Sequence, residues 1–274
     1  MYKILGMTAI AALLAGCADE VAEVIIPTEE DVPVCGDPDQ PDDCIPVSVS
    51  GGVVTIGDIQ AASYDGTVLR VQIALDGPDA LQAYVPAGEV DGYDRFTFAL
   101  SGDNRAYTAF AGRSSGGEVT AVVTMDSGQF NRFFAGATVI QDQEAFSPAA
   151  GTASYSGDYV GLIYTDAGLG EVTGVVFLNA NFTDKLVEGD MTSREIVGGP
   201  GLGNLIFVNT VIQPDGVFGG GIEDETEAPI GAYGGAFGGS GAEFIGGTVS
   251  VETDAGQEYG IFVIETCGAV GDDC

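Results

Sequence analysis

Histidine is absent from this chain. That removes the commonest general base, the usual Ser or Cys triads and every imidazole metal site. Basic residues are scarce: eight Lys and Arg stand against 41 Asp and Glu, a formal charge of −33 at pH 7. Nucleic acid and anionic membrane surfaces repel such a chain, which makes both poor partners. Acidity of this degree acts first as a solubility device in salty surroundings. Tryptophan is missing as well, and apolar positions at helical spacing are scarce beyond residue 16. No pair of carboxylates has a spacing that identifies glycosidase-like acid and base roles. Gly198-Gly199-Pro200-Gly201-Leu202-Gly203 lacks the Lys-Ser/Thr of a phosphate loop and reads as a hairpin tip. No catalytic residue, metal ligand set or cofactor is therefore expected, and the chain reads as a binding protein and not an enzyme.

The N-terminus is more explicit. Met1-Tyr2-Lys3 supplies one positive charge, and Ile4 to Leu14 is an apolar run too short to span a bilayer. Leu14-Ala15-Gly16-Cys17 then resembles the lipobox of bacterial lipoproteins, in which the cysteine thiol is acylated and the bond before it is cut. Residues 1–16 are thus expected to be a signal peptide, leaving a mature chain that starts at a lipid-bearing Cys17. Each buried methylene stabilises by about 0.8 kcal/mol, so two or more acyl chains anchor a protein to a membrane durably. Loss of Lys3 with the signal takes the charge from −33 to −34. Ala18 after the cysteine fits outer-membrane sorting.

From Ala18 to Ser50 there is no Lys or Arg, ten residues are acidic, and prolines stand at 27, 33, 38, 41 and 46. Such a segment repels itself and has little apolar surface to bury, so residues 17–50 are expected to form an extended tether. The Asp37, Asp39, Asp42 and Asp43 cluster lacks the ligand order of an EF-hand. Besides Cys17, the cysteines are Cys35, Cys44, Cys267 and Cys274. An even number in an exported chain points to disulfides, and four cysteines admit three pairings. Cys35 with Cys44 and Cys267 with Cys274 is favoured because each pair brackets a short polar loop, although the sequence leaves all three open.

Forty-three glycines and many short Val/Ile/Thr/Tyr/Phe runs favour an all-β chain. Residues 51–146 hold strands near 68–75, 81–85, 95–100, 106–112, 119–125 and 133–140. The arginines of that region, Arg70, Arg95, Arg105, Arg113 and Arg132, are expected to pair with carboxylates. After Ser147-Pro148-Ala149-Ala150 come eight further candidates: 152–164, 173–182, 186–193, 205–213, 217–222, 231–237, 247–252 and 259–265. Eight strands joined by polar turns suit a closed up-and-down barrel, which leaves no free edge, and mixed polarity on both faces implies a bore filled with side chains. Tyr155, Tyr159 and Tyr164 read as core or rim residues. The Glu223, Asp224, Glu225 and Glu227 run reads as a solvated loop.

Phe237-Gly238-Gly239-Ser240-Gly241-Ala242-Glu243-Phe244-Ile245-Gly246-Gly247 resembles the segment near the end of the β-barrel domains of transferrin-binding protein B and related surface lipoproteins. Phe237, Gly239, Ala242, Glu243, Gly246 and Gly247 stand where that pattern expects them. Gly238, Ser240 and Phe244 replace its second aromatic, its proline and a frequent second glutamate. Tyr155 to Gly161 and Asn181-Phe182-Thr183 resemble that barrel's opening hairpin, so the match covers about residues 148–266. It implies a handle-like β domain over 51–146, an eight-stranded antiparallel barrel over 147–266 and a Cys-containing tail at 267–274. It further implies an outer-membrane, surface-facing lipoprotein that binds an extracellular protein or serves an outer-membrane transporter, as in nutrient or iron-carrier capture. The alternative is a structural or adhesive coat protein. Transferrin binding does not carry over, because the handle loops that bind it are not matched. The matched residues carry the fold: Gly246 and Gly247 are expected at a close backbone approach or a sharp turn, and Glu243 as a cap on backbone N–H groups or a solvated side chain.

Overall fold

The computed structural model describes residues 30–34, 45–50, 52–73, 81–99, 105–128, 133–141, 148 and 150–267, and every regular element among them is a strand. The first eleven are β1 (Glu30–Val34), β2 (Ile45–Ser50), β3 (Val53–Gly57), β4 (Ile59–Tyr64), β5 (Leu69–Ile73), β6 (Gln82–Ala83), β7 (Val85–Val90), β8 (Tyr93–Ala99), β9 (Ala106–Arg113), β10 (Val119–Asp126) and β11 (Ala135–Gln141). The last eight are β12 (Thr152–Thr165), β13 (Gly168–Asn181), β14 (Leu186–Ile196), β15 (Leu205–Val211), β16 (Val217–Glu223), β17 (Pro229–Gly238), β18 (Phe244–Thr253) and β19 (Gly256–Thr266). They form a closed antiparallel barrel in sequence order. The chain is all-β, with an N-terminal β region followed by an eight-stranded barrel, as the sequence leads one to expect.

Ahead of the barrel lies an eight-stranded sheet of order β1-β2-β3-β11-β10-β9-β8-β7 and a small sheet β4-β5-β6. The large sheet is the middle layer. β10 is buried along its whole length because its alternating side chains serve two cores. Ala121, Val123 and Met125 meet Val160, Leu162 and Ile261 on the outer wall of the barrel, while Val122 meets Leu69, Val71 and Tyr84 of the small-sheet side. A strand covered on both faces carries a near-continuous apolar run, and Val119 to Met125 is one.

Two expectations need correction. Residues 17–50 are not a tether throughout: β1 and β2 pair with each other from Glu30↔Val49 to Val34↔Ile45, and β2 pairs with β3. Charge and proline content concealed a strand pair whose two prolines, Pro33 and Pro46, face each other in register. Since proline has no N–H to donate, placing both at one rung confines the loss to a single position. Gly246 and Gly247, in turn, do not make a turn; they lie inside β18, which begins at Phe244.

The barrel bore is filled. Tyr155, Tyr159, Phe207, Phe218, Tyr233, Phe237 and Phe262 belong to one buried cluster inside it. Phe207 stacks on Tyr233 at 4.7 Å. Space for these rings comes from glycines on adjacent strands: a Cβ on Gly235 would sit 2.5 Å from the Phe218 ring, and one on Gly220 2.5 Å from that of Tyr233. A small barrel of eight strands has room for side chains, and here aromatic rings laid over bare backbone use that room.

Candidate functional site

The sequence motif 237–247 sits where barrel and large sheet meet. Phe237 closes β17 inside the barrel, 5.8 Å from Tyr155 and 5.4 Å from both Phe182 and Phe218. The chain then turns through Gly239 (φ 83°) and Ala242 (φ 58°), and the Tyr155 hydroxyl donates to the Ala242 carbonyl at 2.6 Å. The Glu243 carboxylate accepts from the Gly241 N–H at 3.0 Å, the capping role read from its position in the sequence. Gly246 and Gly247 are adjacent, so they face opposite sides of β18. A Cβ on Gly246 would lie 2.9 Å from Val139 of the large sheet, and one on Gly247 would land on the Phe262 ring inside the barrel. One glycine lets the sheet approach, and the other lets the bore fill.

Of the other residues singled out from sequence, Cys17, Cys35, Cys44 and Cys274 lie outside the described residues. Cys267 follows β19 and its N–H donates to Ser154 O at 2.9 Å. Tyr155 and Tyr159 are fully buried, and burial raises both hydroxyl pKa values, so the phenols stay protonated. Tyr164 stacks on Phe133 at 4.7 Å. Residues 198–203 form the β14–β15 connection. The acidic run folds on itself: Asp224 accepts from the Thr226 hydroxyl (2.6 Å), the Ala228 N–H (3.1 Å) and the Thr226 N–H (2.7 Å), and these bonds, the hydroxyl's first, lower its pKa. Arg95 pairs with Glu171 at 2.6 Å, and Arg105 with Asp126 at 2.8 Å.

One buried charge group was not read from sequence. Arg194 on β14 and Glu258 on β19 form an ion pair at 2.6 Å with side chains 2% and 1% exposed. Tyr159 on β12 donates to the second Glu258 oxygen at 2.7 Å, and Arg194 also donates to Gly203 O at 2.5 Å. The signal was the two-residue period: Ile264, Phe262 and Gly260 face the bore, so Glu258 must face it too. The network ties three strands together from within; Arg194 and Glu258 neutralise each other, while Arg194 Nε is left without a hydrogen-bond partner.

The contact between handle-like sheet and barrel is also specific. β12 and β19 close the barrel, and their pairing runs from Tyr155↔Thr266 to Tyr164↔Gln257 with an interruption at Gly157 and Asp158. Tyr93 of β8 fills the interruption. Its hydroxyl accepts from the Val263 N–H at 2.9 Å and donates to the Asp158 carbonyl at 2.6 Å, replacing a rung of the ladder with a side chain. Gly112 gives its ring room, since a Cβ there would lie 2.6 Å from it. Gln141 adds a bond to Phe237 O at 2.5 Å.

Beside Tyr93 the two bodies leave an open groove of about 300 Å³. The β7–β8 turn (Asp91, Gly92), the β9–β10 turn (Arg113, Ser114, Ser115) and the barrel strands β12, β18 and β19 line it. Asp91, Asp158 and Glu265 are exposed around it, and Phe244 and Val263 are half-buried within it. It is a candidate binding site shared by both bodies.

A β-sheet docked on a filled eight-stranded antiparallel barrel defines the fold. No protein-family model matches the chain, and no curated protein matches its sequence. Among solved structures it is similar to a double mutant of transferrin binding protein B from Haemophilus parasuis, at 10% identity over 81% of this chain and 60% of that one, with a TM-score of 0.45. It is similar too to isotype 1 transferrin binding protein B from serogroup B Neisseria meningitidis (13% identity, 81% and 58% coverage, TM-score 0.42). A protein described as a surface lipoprotein matches at 11% identity over 80% of this chain and 100% of that one, TM-score 0.40. The chain thus spans about 60% of the length of the two transferrin binding proteins. At these identities the likeness is one of strand arrangement, not of ligand.

Proposed function

We propose that the protein is a lipid-anchored component of the outer membrane, exposed at the cell surface, that acts by holding a partner protein on its outer surface. The observation that carries this reading is the filled bore: rings lie over glycine backbone, so recognition falls to the loops and seams outside. Cys17 supplies the anchor, as the lipobox-like Leu14-Ala15-Gly16-Cys17 indicates. A net charge of −33 favours encounter with cationic protein surfaces. Cys267 is disulfide-bonded, which fits an oxidising compartment. The finer form of the proposal, resting on the resemblance of residues 148–266, is capture of a nutrient carrier for an outer-membrane transporter.

Radiolabelled palmitate is expected to label the wild type and not Cys17→Ala, and protease added to intact cells is expected to cut the protein. Equal labelling of the two would end the anchor, and a chain left uncut would end surface display. A deletion strain that attaches poorly but grows normally on carrier-bound nutrient would instead favour an adhesive coat.

A further inference from the structure

We infer that the groove beside Tyr93 is a receptor for one arginine side chain of a protein partner. Polar and apolar surface share its lining: the edge of Tyr93 with half-buried Phe244 and Val263 supplies the apolar part, and Asp91, Asp158 and Glu265 stand exposed at its margin. Arginine matches that combination: its stem and flat guanidinium cover aromatic and aliphatic surface while its fork of donors meets carboxylates. The one basic residue at the groove does not spoil the match. The Arg113 guanidinium folds back over the β9–β10 turn, where a Cβ on Gly117 would collide with it. There it stands near Glu118, whose pKa is lowered chiefly by the Ser114 hydroxyl bond and least by the Arg113 charge. Its stem borders the groove while its charge lies over the turn. Because Tyr93, Gly112 and the barrel seam are fixed together, the groove is preorganised, which lowers the ordering cost of binding. The inference deepens the surface-binding proposal by naming what the partner presents.

The test titrates acetyl-Gly-Gly-Arg-Gly-Gly-amide into the full mature protein in detergent micelles, followed by NMR shifts or calorimetry. Salt is held near 0.15 M, where the Debye length of about 8 Å screens the diffuse field of the chain. The same peptide with citrulline in place of arginine keeps shape and loses charge; it is expected to bind at least tenfold more weakly. The Asp158→Asn/Glu265→Gln variant is expected to lose tenfold or more. Glu225→Gln/Glu227→Gln, which removes equal charge at the distant β16–β17 turn, is expected to match the wild type. No binding by the wild type, equal binding of the citrulline peptide, or equal losses in the two variants would overturn the assignment. Any of those results leaves lipid anchoring and surface display standing, because these fall only to the palmitate and protease results.

Discussion

The barrel wall is interrupted in two places, and the two are repaired from opposite sides. At the β12–β19 closure the missing rung is supplied from outside, by the Tyr93 hydroxyl of the large sheet. At β15–β16 the ladder registers only Ile206↔Glu223 and Phe207↔Ile222. There the repair comes from the barrel itself: Tyr233 donates from the bore to Val208 O at 2.7 Å, and Thr210 Oγ1 donates to Gly219 O at 2.5 Å. One seam depends on the handle-like sheet and the other does not. The difference teaches that sheet and barrel are one structural unit on the β12–β19 side, with the groove built into their junction, while the β14–β15 side stands apart from the sheet and exposes Ile206 and Val211.

The largest effect tests the β12–β19 closure from within. Glu258 receives both Tyr159 across the closing seam and Arg194 from β14. Glu258→Ala leaves a buried guanidinium without its counter-charge, at an expected cost of about 3–5 kcal/mol. As the chain has no tryptophan, urea unfolding is followed by circular dichroism, and a midpoint shift below a third of that cost would show the seam is held elsewhere.

Next come the two tyrosine repairs. Tyr93→Phe removes one hydroxyl but strands two backbone groups, Val263 N–H and Asp158 C=O, for about 1–3 kcal/mol. Tyr233→Phe is expected to cost less, since its principal bond serves one carbonyl, Val208 O. The reverse order would break the distinction between the seams. Hydrogen exchange sharpens it: Tyr93→Phe should deprotect β12 and β19 while leaving β15 and β16 unchanged. A smaller effect is expected from Arg95→Ala. Its pair with Glu171 also bridges sheet and barrel, but with side chains 30% and 22% exposed it is worth only about 0.2–1 kcal/mol.

Much of this was legible in the chain. The eight barrel strands and the filled bore follow from alternation and turn residues. What sequence concealed has a common cause. Glycine reads as punctuation, yet Gly235 and Gly247 lie within strands because aromatic rings from adjacent strands need their missing side chains. β13 likewise starts at Gly168, five residues before Thr173, since a tight turn at Thr165–Gly168 leaves Gly170 and Gly174 inside the strand. β1 and β2 were masked by charge, and Tyr93 by distance: no local pattern tells that its hydroxyl meets residues 65 and 170 positions away.

The smallest effect belongs to the far end of the same interface. Asp58 accepts from the Ala135 N–H at 3.1 Å. Burial raises its pKa above 3.8, the Ala135 bond opposes that, and the nearby Asp126 charge adds to it. A raised carboxyl pKa means the folded state prefers the protonated form. Its contribution to stability is present below about 3.8 and is lost as pH rises through the folded value. Asp58→Asn keeps an oxygen for Ala135 and cannot ionise, so at pH 7 it should be at least as stable as the wild type, with the advantage vanishing near pH 3. Urea midpoints at the two pH values decide the matter, and a variant less stable at pH 7 would mean that the Asp58 charge holds the end of β3 to β11 instead of straining the contact.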